Sequence, residues 1–266
     1  MKNIRRLLAA IALAAGFSAP AWSASYSTDQ SDLWWIPNES GWGIQFVQRN
    51  STIFATMFVY DQSNAPTWYV ATMVATGLTW AGDLYATRGP WFGMTPFNLA
   101  DVQATKVGTM TWVPTPATVR AGTLTYTVNG TQVTKNVQRQ FIAMDDFNGD
   151  YGGNLHQVNS GCSDSTKDGT SDLVAVFVVK QTENNFVLGI GDENGKSCAF
   201  TGTLAQAGQM GNVTGTFNCS DGSAGTFLID EMQVTETGLT LRFVQQSPVA
   251  GCSTTGWFGG GRATTL

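Results

Sequence analysis

One histidine, four cysteines and nineteen carboxylates bound the chemistry open to this 266-residue chain. His156 lies in Gly-Gly-Asn-Leu-His-Gln at 152–157. A Ser-His-Asp or Cys-His relay would have to use it. No G-x-S-x-G nucleophile elbow occurs anywhere, so His156 is expected to be a hydrogen-bonded strand or loop residue. A zinc site built on two or more histidines is excluded. Glu39 is the best carboxylate. It sits in Pro-Asn-Glu-Ser-Gly-Trp at 37–42, a polar loop between tryptophans. Burial among rings would raise its pKa and suit it to general acid/base work, or to orienting a sugar hydroxyl. The simpler expectation is that Asn38, Glu39 and Ser40 form a hydrogen-bonded turn. Asp146, Asn148 and Asp150 open a D-x-N-x-D calcium-loop pattern. The pattern then fails, with Tyr151 at the glycine position and Gln157 in place of the bidentate glutamate. That stretch is expected to be a solvated acidic linker. No metal and no cofactor are implied.

All four cysteines, Cys162, Cys198, Cys219 and Cys252, fall in the second half. An even count in an exported chain points to two disulfides. Cys198 and Cys219 flank a hairpin whose turn is expected at 206–211, which leaves Cys162 to pair with Cys252. The rival metal-site reading lacks C-x-x-C pairs and neighbouring histidines.

The tryptophans are just as unevenly placed. Beyond residue 24, Trp34, Trp35, Trp42, Trp68, Trp80, Trp91 and Trp112 lie in the first half and only Trp257 in the second. Most are expected in cores, where large rings bury the most area. Neighbours on a strand point to opposite faces, so Trp34 and Trp35 cannot both enter one core. The outward one, with Glu39 and Trp42, is a candidate ligand-binding platform. Trp91, between Gly89-Pro90 and Phe92, is a second loop-borne candidate.

The elements that must position these residues are strands. Candidates in the first half are 43–48, 53–60, 67–74, 82–86, 107–113, 118–128 and 132–141. Those in the second are 173–180, 185–191, 197–204, 212–219, 225–234, 239–245 and 256–263. Asn129-Gly130, between two alternating runs, reads as a type I′ hairpin turn. The 53–60 strand is apolar on both faces, which implies that its outer face is covered, for instance by the second domain. No helix is expected beyond residue 24. The fold class is all-β: two antiparallel meander domains, barrel or sandwich, at 25–144 and 145–266.

Residues 1–24 read as a cleaved signal peptide, with Lys2, Arg5 and Arg6 before a short apolar run and Ala21-Trp22-Ser23 at the cleavage site. The apolar run is too short to span a bilayer, and no later segment is apolar enough, so no transmembrane segment is expected. The expected destination is secreted or periplasmic. Residues 25–143 carry six charges of each sign, whereas 144–266 carry five basic and thirteen acidic residues. Such a surface repels phosphate backbones and argues against a nucleic-acid partner.

The first half resembles a widespread group of uncharacterised secreted bacterial proteins. The resemblance rests on 35–43 (WIPNESGWG), 54–69 (FATMFVYDQSNAPTWY) and 122–140 (GTLTYTVNGTQVTKNVQRQ). The second half resembles a cysteine-containing β-domain of similar exported proteins, on 195–215, Gly225-Thr226-Phe227 and Gly251-Cys252. The group implies export and an all-β fold, and it transfers no catalytic residue. A likeness to avidin- and lipocalin-type barrels extends to architecture alone. Together these features favour an exported, non-enzymatic binding protein whose aromatic site, Trp34, Trp35, Glu39, Trp42 and Trp91, takes a carbohydrate or cell-surface glycan. The alternatives are a carboxylate-based hydrolase or lyase acting on glycans, and a structural or adhesive subunit.

Overall fold

The computed structural model describes residues 28–115, 119–248 and 250–263. The signal peptide expected at 1–24 and the start of the strand expected at 118 lie outside the described residues. The chain forms two closed antiparallel barrels of eight strands each. Barrel 1 comprises β1 (Asp32–Trp35), β2 (Gly43–Arg49), β3 (Thr52–Tyr60), β4 (Pro66–Thr76), β5 (Thr79–Arg88), β6 (Gln103–Pro114), β7 (Ala121–Val128) and β8 (Thr131–Arg139). Barrel 2 comprises β9 (Gly149–Ser160), β10 (Gly169–Thr182), β11 (Asn185–Asp192), β12 (Ser197–Ala207), β13 (Met210–Cys219), β14 (Ala224–Val234), β15 (Gly238–Ser247) and β16 (Cys252–Arg262). Each is an up-and-down meander, closed by β1 against β8 and by β9 against β16. Among the described residues the only helical pieces are three short 3-10 turns.

Period-two alternation sends every second side chain inward. In barrel 1 the inward set includes Trp34, Phe46, Met57, Met73, Trp80, Leu84, Trp112 and Leu124, all buried. Trp34, Phe46 and Trp112 pack ring against ring at 4.6–5.9 Å. Their outward neighbours on β7 and β8 are threonine and asparagine. Thr123 hydrogen-bonds Asn136, and Thr125 hydrogen-bonds Thr134, across the strands. On this pair of strands an apolar inside backs a wet outside. Barrel 2 is filled by phenylalanine: Phe177 stacks on Phe258 at 3.7 Å, and Phe200 meets Phe217 and Phe227. Both expected disulfides are present, Cys162–Cys252 and Cys198–Cys219, at the end of barrel 2 remote from barrel 1. Asn129 and Gly130 both have positive φ, as the type I′ turn requires.

Two expectations are overturned. The acidic stretch 145–153 is not a solvated linker. Phe147 and Tyr151 are fully buried in barrel 2, and Gly149 begins a twelve-residue strand. Its glycines serve closure, because a Cβ on Gly153 would stand 2.1 Å from the Gly259 carbonyl oxygen. Nor is the outer face of the 53–60 strand covered by the second domain, since Phe54, Phe58 and Tyr60 remain about half exposed. Thr52 and Thr56 share their parity, and that face looks into solvent.

The barrels meet end to end through the segment before β1. Arg139, at the end of β8, is buried and lies over the Trp34 ring at 4.6 Å. Its guanidinium donates to the Asp32 carboxylate at 2.9 Å and to the carbonyls of Asp29, Ser31 and Val119. Burial draws the Arg139 pKa down, while Asp32 opposes the shift. From barrel 2, Gln209 donates its backbone N–H to the same Asp32 carboxylate at 2.9 Å and its side-chain amide to the Ser31 carbonyl at 2.6 Å. Thr28 donates to Glu231 at 2.6 Å.

Candidate functional site

The junction occupies one end of barrel 1. The other end, the distal rim, carries the connections 36–42, 61–65, 89–102 and 129–130. The first of these folds over the barrel mouth. A 3-10 turn, Pro37–Glu39, brings Trp42 back onto the core edge, and Trp42, Ile36, Val59, Tyr69 and Tyr126 each pack against the buried core. Glu39 accepts a hydrogen bond from the Trp42 indole N–H at 3.1 Å and one from Lys135 Nζ at 2.6 Å. Lys135 has the inward parity of Val137 and Arg139 on β8, and its ammonium lies 5.7 Å from the Trp42 ring centre. Loop, ion pair and ring together latch the mouth shut.

This geometry corrects the expected pKa of Glu39. The hydrogen bond from Lys135 is the largest influence and holds the carboxyl below its usual range, so Glu39 is ionised rather than poised as an acid. Beneath it, burial and then the Glu39 charge push the Tyr126 hydroxyl upward.

The other expected site residues scatter. Glu39 and Trp42 are brought together. Trp34 is 1% exposed and belongs to the core, its N–H donating to the Gln30 carbonyl at 3.0 Å. Alternation turns Trp35 to the outer face opposite Gln138, half-buried and away from the mouth. Trp91 is exposed in the 89–102 loop, tilted against Phe92 at 5.4 Å. His156 is neither buried nor near a nucleophile pattern. It bonds Asp172 at 2.6 Å and stacks on Trp257 at 4.0 Å on the outside of barrel 2. Asp146 is used locally, accepting from the backbone and side chain of Asn148. Among the described residues no cluster of three or more His, Cys, Asp or Glu could hold a metal.

An open concavity on the rim is lined by rings that size alone would place in a core. β4 and β5 are in register from Val70 opposite Tyr85 to Thr76 opposite Thr79. Beyond Val70 they part, so 66–69 runs on beside 86–88 without that pairing. The gap forms a groove of about 630 Å³ lined by Phe58, Tyr60, Pro66, Trp68 and Arg88. Trp68, 54% exposed, stands opposite Phe58 across the strand pair. The Tyr60 ring packs over Gly41, which ties the groove to the latched loop. Arg88 makes no ion pair or side-chain hydrogen bond among the described residues. A sequence signal for Trp68 did exist: Thr72 and Thr76 share its parity, and that face is the wet one. Barrel 2 carries an outer groove of similar volume, about 630 Å³, lined by Val176, Val178, Gly189 and Asn218 without an aromatic ring. The partly open cavity at one end of its core is about 50 Å³, lined by Leu155, Phe177, Leu188, Asp192 and Lys196. That is room for one or two water molecules, not a sugar ring.

No protein-family model matches the chain, and no curated protein matches it. Among solved structures it is similar to the crystal structure of a "putative outer membrane protein" from Bacteroides fragilis, at 13% identity and a TM-score of 0.33. That match covers 79% of this chain and 89% of the other. The likeness is too slight to carry a functional argument.

Proposed function

We propose that this chain is an exported binding protein, acting outside the cytoplasm, whose barrel 1 grips a glycan in the groove between β4 and β5. The observation that carries the reading is the half-exposed Trp68 ring, facing an open groove beside the Arg88 guanidinium, which is unpaired among the described residues. A flat apolar ring matches the C–H face of a sugar, Arg88 supplies donors for hydroxyl or carboxylate oxygens, and the Tyr60 hydroxyl adds a further polar group. The groove volume falls in the range of small-molecule sites, about 300–1,000 Å³. Two disulfides support a location in an oxidising compartment. Glu39 drops out of the binding set because it is engaged by Lys135 and Trp42, and it holds the loop that borders the groove. The same engagement removes the motive for a carboxylate hydrolase centred on it.

The test is a glycan-array screen of the mature protein, followed by titration of the best saccharide against wild type and Trp68→Ala. The expected outcome is binding that falls at least tenfold in the variant, with stability within about 0.5 kcal/mol of wild type, as for an exposed side chain. Unchanged affinity in Trp68→Ala, or no saccharide bound, overturns the reading.

A further inference from the structure

The connection between β5 and β6 differs from every other turn among the described residues. From Gly89 to Ala100 it reads GPWFGMTPFNLA, twelve residues without a charge. Its large apolar side chains point outward: Trp91 is 66% exposed, Phe92 91%, Phe97 57% and Leu99 76%. A side chain as exposed as Phe92 touches little of its own protein. Water-soluble surfaces do not usually gather four such residues on one knob without a partner.

The loop is nonetheless built, not loose. Met94 N–H donates to the Trp91 carbonyl at 2.9 Å, and Val102 N–H to the Leu99 carbonyl at 3.1 Å. Asn98 accepts from Ala100 N–H and donates to Asp101. The Trp91 ring lies across Gly93, where a Cβ would stand 2.4 Å from it, so glycine is what lets the ring fold over the loop. The Asp101 carboxylate faces back to Asn98 at the foot of the knob rather than at its tip.

We propose that this loop inserts into the interfacial layer of a lipid membrane and seats the distal rim of barrel 1 on it. Charge decides for lipid over a protein partner. The tip can leave water without desolvating a single charge, which the hydrocarbon boundary demands. Arg88, the residue immediately before it and unpaired among the described residues, stands at the level of lipid phosphates. Tryptophan and phenylalanine at the tip are the side chains that settle at that boundary. The knob is convex, and a bilayer deforms around it where a rigid protein surface would need a matching hollow. The inference shares Arg88 with the glycan reading but rests on the apolar tip of the loop, which takes no part in the groove.

The experiment is cosedimentation of the mature full-length chain with phosphatidylcholine vesicles and with vesicles containing phosphatidylglycerol, at low and high salt. Wild type is expected to pellet with both and to remain bound at high salt. The double variant W91S/F92S is expected to lose at least 90% of the vesicle-bound fraction while its melting temperature holds. F97S/L99S gives an independent second disruption of the tip. Trp68→Ala is expected to pellet like wild type, so failure of the groove and failure of the loop are read separately. Wild type that stays in the supernatant overturns the proposal. So does binding confined to anionic vesicles and abolished by salt, or a tip variant that pellets undiminished. Concentration-dependent self-association lost in W91S/F92S, without vesicle binding, would assign the knob to a second copy of the chain and likewise overturn it.

Discussion

Barrel 1 is filled with tryptophan, contains no cysteine and displays its surplus rings at the distal rim. Barrel 2 is filled with phenylalanine, carries the acidic excess and pins its far end with two disulfides. The same strand count and topology thus have two ways of securing a barrel end. Barrel 1 uses side-chain chemistry, with Arg139 buried at the junction and Glu39, Lys135 and Trp42 at the rim. Barrel 2 uses covalent bonds between β12 and β13 and between β16 and the segment after β9. The difference teaches where function sits. An end held by a loop and an ion pair leaves open grooves and exposed rings around it. The stapled barrel has an outer groove of similar size, but no aromatic ring lines it, and it reads as the scaffold.

The largest expected effect separates the barrels covalently. The cysteines of Cys162–Cys252 are 90 residues apart and those of Cys198–Cys219 are 21 apart. Loop-closure entropy then assigns them about 4–5 and about 3 kcal/mol respectively. Reduction should therefore lower the unfolding midpoint of barrel 2 and leave barrel 1 in place. Tryptophan emission reports this directly, because seven of the eight tryptophans beyond residue 24 lie in barrel 1. A parallel fall in the barrel 1 transition would show that the two barrels unfold as one unit.

Next is Arg139→Met, which leaves Asp32 and three carbonyls facing a buried apolar side chain. Removing one partner of a buried pair costs about 3–5 kcal/mol. Urea unfolding followed by tryptophan emission should show that loss in barrel 1. A cost below about 1 kcal/mol would mean that the junction does not hold the barrel end.

A smaller effect concerns the latch. The Glu39 carboxyl is held below its usual range in the folded protein, so its contribution is complete above the unfolded pKa and is lost as pH falls through the folded one. Hydrogen-exchange protection of residues 38–43 should drop on acidification in the wild type. In Glu39→Gln it should be low already at neutral pH and flat with pH. Protection that ignores both acid and substitution would refute the latch.

Much of the fold was legible in the sequence because alternation and turns are local. Fourteen of the sixteen strands are marked by these signals. The two that are not, β1 and β9, each open a barrel. β1 has only four residues, and β9 is glycine-rich because it lies hard against β16. A closing strand is defined by a partner far along the chain, which no local signal shows. The disulfides could be read because one spans a hairpin. The site was harder. Trp34 and Trp35 split between two faces as alternation requires, but parity does not say where β4 and β5 part company. That separation is what makes Trp68 a groove residue, and its proof lies in a strand register rather than in a motif.

The most direct test sets one exposed tryptophan of each barrel against the other. Trp68 and Trp257 are both 54% exposed. Trp68 stands in the groove, whereas Trp257 stacks on His156 on the outer wall of barrel 2. Saccharide affinity should be measured for Trp68→Ala and Trp257→Ala side by side, with melting temperatures. The account predicts that Trp68→Ala loses at least tenfold in affinity, that Trp257→Ala keeps wild-type affinity, and that both stay folded. Equal loss in both variants, or loss only in Trp257→Ala, would contradict it.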